Sequence, residues 1–193
     1  MAFNELILNA DSEDSYSVED YEMGDFDLTV FWDGKPFEGA IPPCVRLYIY
    51  EDPKLKPADL LGNPLSWQMF SERMLEWTWP LIKNDVQIFD VPLYKKSTGA
   101  KVSGYKLVNP IRVIDCIDWE HSEFIRDADG SCPLVNKLCI RGDEVGNHHI
   151  FRLKDYLYPI IVSDEFARQT FHKGVRGLAF VRCKVPGAKR HAK

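Results

Sequence analysis

The side chains best suited to chemistry are the acids Asp115, Asp118, Glu120 and Glu123, which gather around His121. Carboxyls beside an imidazole can supply general acid and base if their environments push their pKa values apart. These acids end an apolar run, however, where carboxylates more often cap turns or pair with arginine. Arg152, flanked by Phe151 and Leu153, is the expected partner. Asp127-x-Asp129-Gly130 opens like a calcium loop, but a third acidic ligand is missing and Leu138 stands where the closing glutamate belongs. That stretch reads as a turn. His148 and His149 are adjacent, so on a strand they face opposite sides and cannot easily share one metal; a surface loop is the stronger reading.

Other catalytic signatures are missing. The chain has no G-x-S-x-G elbow, no P-loop and no H-E-x-x-H, so the motifs argue against an enzyme, a bound metal or a cofactor. The cysteines Cys44, Cys116, Cys132, Cys139 and Cys183 are odd in number and contain no C-x-x-C pair. Most read as reduced core residues rather than a disulfide framework or zinc site.

The elements that must position these side chains follow from two segments of one design. Ser71 and Ser163 each follow a short apolar run and precede an acid, Glu72 or Asp164. A strand entering an N-capped helix needs this order, because the serine oxygen accepts an orphan amide and the acid meets the positive helix end. Setting one serine on the other aligns Met74, Leu75, Thr78 and Trp79 with Phe166, Ala167, Thr170 and Phe171 as one apolar face at helical spacing. This predicts helices near 72–79 and 164–173, with Trp79 and Phe171 in the core. Gly174 suits a left-handed helix end. Strands are expected at Val86–Val91 and Leu178–Cys183, the same distance from each serine. Two strand–helix–strand units result, either an internal duplication or a coincidence of common motifs. The block Gly104–Glu123 is β-favouring, and Pro110 should split it in two or place it at a sheet edge. The fold class is therefore α+β, a mixed or antiparallel sheet with few helices.

Elsewhere, Glu5–Leu8 and Val45–Tyr50 read as strands, and Asp27–Trp32 as one arm of a hairpin turning at Asp33-Gly34. Asp52–Pro64, with three prolines and Gly62, is loop. The chain is expected to form a single domain over 1–193, with an N-terminal acidic portion at 1–63, a second portion at 64–183 and a disordered basic tail at 184–193.

The Ser-led helix, the apolar strand, and the aromatic-apolar-Asn and apolar-Asp-x-x-Asp pattern from Tyr105 to Asp118 are followed by Ser122. Phe151-Arg152-Leu153 comes next, and then the run from Ile161 to Ser163 through Gly177 to Phe180. This order over roughly residues 57–183 resembles a large family of bacterial immunity proteins belonging to polymorphic toxin systems. The resemblance implies a non-catalytic partner protein that binds a cognate protein toxin and occludes its active or target-binding surface. Two readings from other classes stay open: a regulator that holds an endogenous secreted enzyme inactive, and an enzyme built on the acids Asp115 to Glu123.

Composition fits a soluble cytoplasmic protein. The hydrophobic share of 45% is ordinary for a globular chain, no apolar run approaches a membrane span, and the start has no signal-peptide pattern. The short basic tail is too isolated to argue for nucleic-acid binding. Charge, by contrast, is uneven. Up to Gly34 there are ten Asp or Glu and no Lys or Arg, so the rest of a chain of net charge −5 carries about +5. Asp11, Glu13, Asp14, Glu19, Asp20 and Glu22, with Trp32 among the interleaved aromatics, are the candidate partner-binding residues. They would form either a solvated loop or a negative surface that attracts a basic toxin.

Overall fold

Both serines cap helices. In the computed structural model, which describes residues 1–8, 15–50, 52, 54–125 and 134–185, the Ser71 hydroxyl accepts the Met74 amide at 3.1 Å and opens α1 (Glu72–Ile82). The Ser163 hydroxyl accepts the Phe166 amide at 3.1 Å and opens α2 (Asp164–His172). Equivalent residues are buried on the two helices: Met74 and Thr78 on α1, Phe166 and Thr170 on α2. Each threonine hydroxyl, otherwise stranded in the core, donates to the carbonyl four residues back, Met74 or Phe166, at 2.9 and 3.0 Å. Gly174 has φ +62, as a left-handed helix end requires. Trp79 and Phe171 do not enter the core; they are 41% and 80% exposed. The buried stripe of α1 runs Met74, Thr78, Ile82, and a residue one step past Thr78 is rotated about 100° off it. The same stripe draws α1 beyond its expected end, through Pro80 to the fully buried Ile82.

Around each helix the strands repeat. β5 (Gln68–Ser71) enters α1 and β6 (Val86–Asp90) leaves it, with β8 (Tyr105–Pro110) between them and antiparallel to both. β4 (Leu60–Leu61) lies on the far side of β5, inside the segment expected to be loop. In the second unit β13 (Tyr156–Ser163) enters α2 and β14 (Leu178–Arg182) leaves it, with β1 (Phe3–Leu8) between them. β12 (Ile150–Leu153) lies beyond β13 and pairs in parallel with β9 (Val113–Ile114). The registers coincide: Met69, Leu107 and Phe89 stand abreast in one unit as Ile161, Glu5 and Val181 do in the other. Leu60 faces Phe70 as Ile150 faces Val162. The helix starts match as well, the Glu72 amide donating to Gly104 and the Asp164 amide to Ala2, at 2.8 and 2.9 Å. The fold is thus α+β, with two strand–helix–strand units of one geometry.

On the helix side both units contribute to one core, in which Phe70, Met74, Ile82 and Val108 meet Leu6, Ile150, Val162 and Phe166. The opposite face of the first unit is covered by a second sheet of β2 (Val18–Glu22), β3 (Arg46–Ile49) and β7 (Leu93–Lys95), in that order. Leu47, Ile49 and Leu93 descend from it onto Met69 and Leu107. The opposite face of the second unit is covered at one end, where Cys116, Ile117 and Ile140 pack on Phe3, Phe151 and Cys183. Near them β10 (Glu123–Ile125) pairs with β11 (Leu134–Lys137). The expected hairpin about Asp33-Gly34 does not form. Leu28–Phe31 is a 3₁₀ turn, because the Asp27 carboxylate captures the Thr29 amide and hydroxyl at 2.9 and 2.7 Å and closes the chain locally. Lys184, assigned to the tail, instead continues the fold: its amide donates to Leu138 and its carbonyl accepts Ile140, at 2.9 and 2.8 Å.

Candidate interaction surface

Strand alternation decides what the β2–β3–β7 sheet shows to solvent. With Leu47, Ile49 and Leu93 turned inward, Arg46, Tyr48 and Tyr94 turn outward. Tyr48 and Tyr94 are direct neighbours across β3 and β7, with ring centroids 6.2 Å apart. The Arg46 guanidinium lies 5.8 Å from the Tyr94 ring and the Lys96 ammonium 4.4 Å from the Tyr48 ring. β2 sets Asp20 opposite Tyr48 and Glu22 opposite Arg46. Asp20 accepts from Lys96 at 2.5 Å and from the Tyr21 amide at 2.8 Å, and these bonds hold its carboxyl below the usual aspartate range and raise Lys96. The result is a pair of aromatic rings ringed by fixed charges of both signs. Tyrosine and arginine are the residues that anchor protein interfaces, and a cation over each ring restrains it before a partner arrives.

The candidate partner-binding residues divide. Asp20 and Glu22 are brought onto this face, while the bulge between Val18 and Asp20 leaves Glu19 exposed and out of register. Asp11, Glu13 and Asp14 lie outside the described residues. Trp32 is 44% exposed, but its indole N–H donates to the Leu65 carbonyl at 2.9 Å, which ties it to the β4–β5 loop and not to the sheet. Sequence reasoning missed Arg46, Tyr48, Tyr94 and Lys96. Alternation within RLYIY marked β3, and its outward positions already carried a cation and two tyrosines.

The other chemical candidates have local duties. Asp115 pairs with Lys154 and Arg141 at 2.9 and 3.3 Å, Asp118 with His121 at 2.8 Å, and Glu123 with Lys137. Lys154 holds Asp115 low and Lys137 does so for Glu123; His121 does so for Asp118 against its own desolvation. Arg152 is not their partner. It is buried at the seam of the units and donates to the carbonyls of Leu157, Phe31 and Pro110 at 2.7, 2.9 and 3.3 Å. Burial pushes its guanidinium down to about 10. His148 and His149 lie in the loop just before β12, as expected, with partly buried side chains. They take different partners: His148 Nδ1 crosses the seam to lie 2.9 Å from the buried Asp85 carboxylate, and His149 Nδ1 lies 2.8 Å from the Ser163 hydroxyl of its own unit. Asp127, Asp129, Gly130 and Cys132 are outside the described residues. Among the described residues no three His, Cys, Asp or Glu side chains gather as a metal would need, and no helix is long and apolar enough to cross a membrane.

Compared with known proteins, the chain matches the family model described as Immunity protein family (Imm11) over residues 12–185. No curated protein matches it.

Proposed function

The chain belongs to the Imm11 immunity protein family, and from that premise we propose that it binds a cognate protein toxin of a polymorphic toxin system in the cytoplasm of the producing cell. It neutralises the toxin by occluding its active or target-binding surface. The observation that carries this reading is the extent of the family match, from before β2 to beyond β14. An inhibitor of this kind transfers no atoms. It needs a complementary surface of about 800 Å² per partner with a few anchors that dominate the energy. The outer face of β2–β3–β7 supports that role, with Tyr48 and Tyr94 as anchors, Arg46 and Lys96 as oriented cations, and Asp20, Glu22 and Glu19 as an acidic rim toward a basic toxin.

The test is co-expression with the product of any toxin-like reading frame found beside its gene. Wild type should restore growth and co-purify one to one, and Tyr48→Ala with Tyr94→Ala should lose protection while the protein remains folded. A wild-type protein that neither protects nor co-purifies would sink the immunity reading. Protection undiminished in the double variant would move the contact to another face.

A further inference from the structure

The two units differ most on the side turned away from the helices. In the first, Leu107 on the central strand β8 stands between Met69 and Phe89, and the β2–β3–β7 sheet closes over it; Leu107 and Met69 are fully buried. The equivalent residue of the second unit is Glu5 on β1, between Ile161 and Val181. There the covering layer packs at the Phe3 and Cys183 end. Val181 stays 51% exposed, and Ile7 and Ala179, the next pair along the same face, are half-buried.

Glu5 is itself half-buried, and its carboxylate has no hydrogen bond or ion pair among the described residues. Burial is the cause that pushes it above the ordinary glutamate range. Among the described residues the two buried carboxylates have basic partners: Asp59 has Arg73, and Asp85 has Arg112 and His148. A desolvated, unpaired charge on a central strand opposes folding. Its twin position holds a leucine under a complete second layer.

We infer that the outer face of β14 and β1, beside the buried Ile161 of β13, is a second docking surface, which receives a lysine or arginine of the cognate toxin onto Glu5 while apolar neighbours of that cation cover Ile7, Ala179 and Val181. The inference rests on the reading of the chain as a toxin-binding protein. Charge selects the occupant. A second copy docked about a two-fold axis through this face would set Glu5 against Glu5, and a purely apolar partner would strip the remaining water from an unpaired anion. A basic residue supplies the cation that Glu5 lacks among the described residues. Both Leu8 and Ser17 approach Gly62, which brings the end of β1 to the start of β2.

The test titrates the purified product of a toxin-like reading frame found beside the gene against full-length wild type, Glu5→Gln, Glu5→Lys and Tyr48→Ala by calorimetry, with thermal melts and gel filtration of each variant alone. Glu5→Gln should bind about tenfold more weakly and Glu5→Lys about a hundredfold or more, as loss and reversal of a charged contact predict. Glu5→Gln alone should melt above wild type. Higher stability joined to lower affinity marks a group kept for a partner, and a purely structural glutamate would not give that combination. If Glu5→Lys fails to fold, the Glu5→Gln arm decides. Unchanged affinity in the Glu5 variants beside weakened binding by Tyr48→Ala overturns this inference and leaves the immunity reading standing. A wild-type dimer that Glu5→Lys dissociates overturns it in favour of a second copy. No binding by wild type overturns both.

Discussion

Asp59 and His149 hold equivalent places just before β4 and β12, and each steadies the cap serine of its own unit. Asp59 accepts the Ser71 hydroxyl at 2.6 Å, and His149 Nδ1 lies 2.8 Å from the Ser163 hydroxyl. The next partners are also equivalent but reversed in charge: Arg73 closes on Asp59 at 2.5 Å, and Glu165 stands 4.0 Å from His149. Desolvation alone would raise Asp59. The Arg73 and Ser71 side chains and the Arg176 amide outweigh it and hold the carboxyl below 3.8. A depressed acid stabilises the fold above its unfolded pKa, and that stabilisation is lost as pH falls through the lower folded value. Asp59→Asn should therefore cost about 2 kcal/mol at neutral pH, reduced from the value for a fully buried pair because Arg73 is half exposed. Urea midpoints of wild type and variant should converge below the aspartate range; a gap independent of pH would assign the loss to shape rather than charge. Glu5 has the opposite sign. Its raised pKa makes the ionised form a burden above the folded value, and the advantage of Glu5→Gln should vanish as pH falls toward the ordinary 4.5.

At the scale of elements, burial within the two helices predicts a sharp contrast. Phe166→Ala should cost about 3–5 kcal/mol and Met74→Ala about 2–5, since both side chains have no exposure. Trp79→Ala and Phe171→Ala, on the solvent side, should each stay within about 0.5 kcal/mol. Chemical denaturation of the four variants checks this, and a large loss at Phe171 would contradict the helix face. The caps were legible in the sequence because a serine, an acid and a helix start are neighbours in the chain. The stripe was misjudged because Thr78 and Thr170 reach the core by satisfying their hydroxyls on their own helices, so aromatic size was a poor guide to which side faces in. Strand order was out of reach, since β8 comes from later in the chain and β1 from its start to fill the same central place. Tyr48 and Tyr94 likewise meet only through a parallel pairing between distant strands. The junction of the units has its own test. Gly177 has φ +82, and a Cβ there would lie 2.5 Å from that of Ala58 and 2.8 Å from the Leu60 carbonyl, while the Asp59 and Leu60 amides bond to Arg176 next door. Gly177→Ala should lose about 1–3 kcal/mol by overpacking and backbone strain, read as a lowered urea midpoint.

Across the whole molecule, the ten acids before Lys35 give the N-terminal portion a field opposed to the rest of the chain. Pairing trims that field: Lys96 neutralises Asp20, and Arg46 stands opposite Glu22, leaving Glu19 as the rim charge with no cation set against it in the sheet. Long-range steering depends on net charge, whereas residence time depends on desolvated anchors, so the two contributions separate in kinetics. If the proposed toxin is basic, replacing Glu19, Asp20 and Glu22 together by their amides should slow its association severalfold at low salt and flatten the dependence on salt. Folding should survive, because these side chains lie at the sheet surface and the Asp20–Lys96 pair is solvated. Tyr48→Ala should instead shorten the lifetime of the complex and leave its association rate nearly unchanged. Stopped-flow mixing at two ionic strengths distinguishes the two behaviours. If the amide variant keeps both the wild-type rate and the wild-type salt slope, the acidic strand has no part in the encounter, and binding rests on aromatic or basic residues instead.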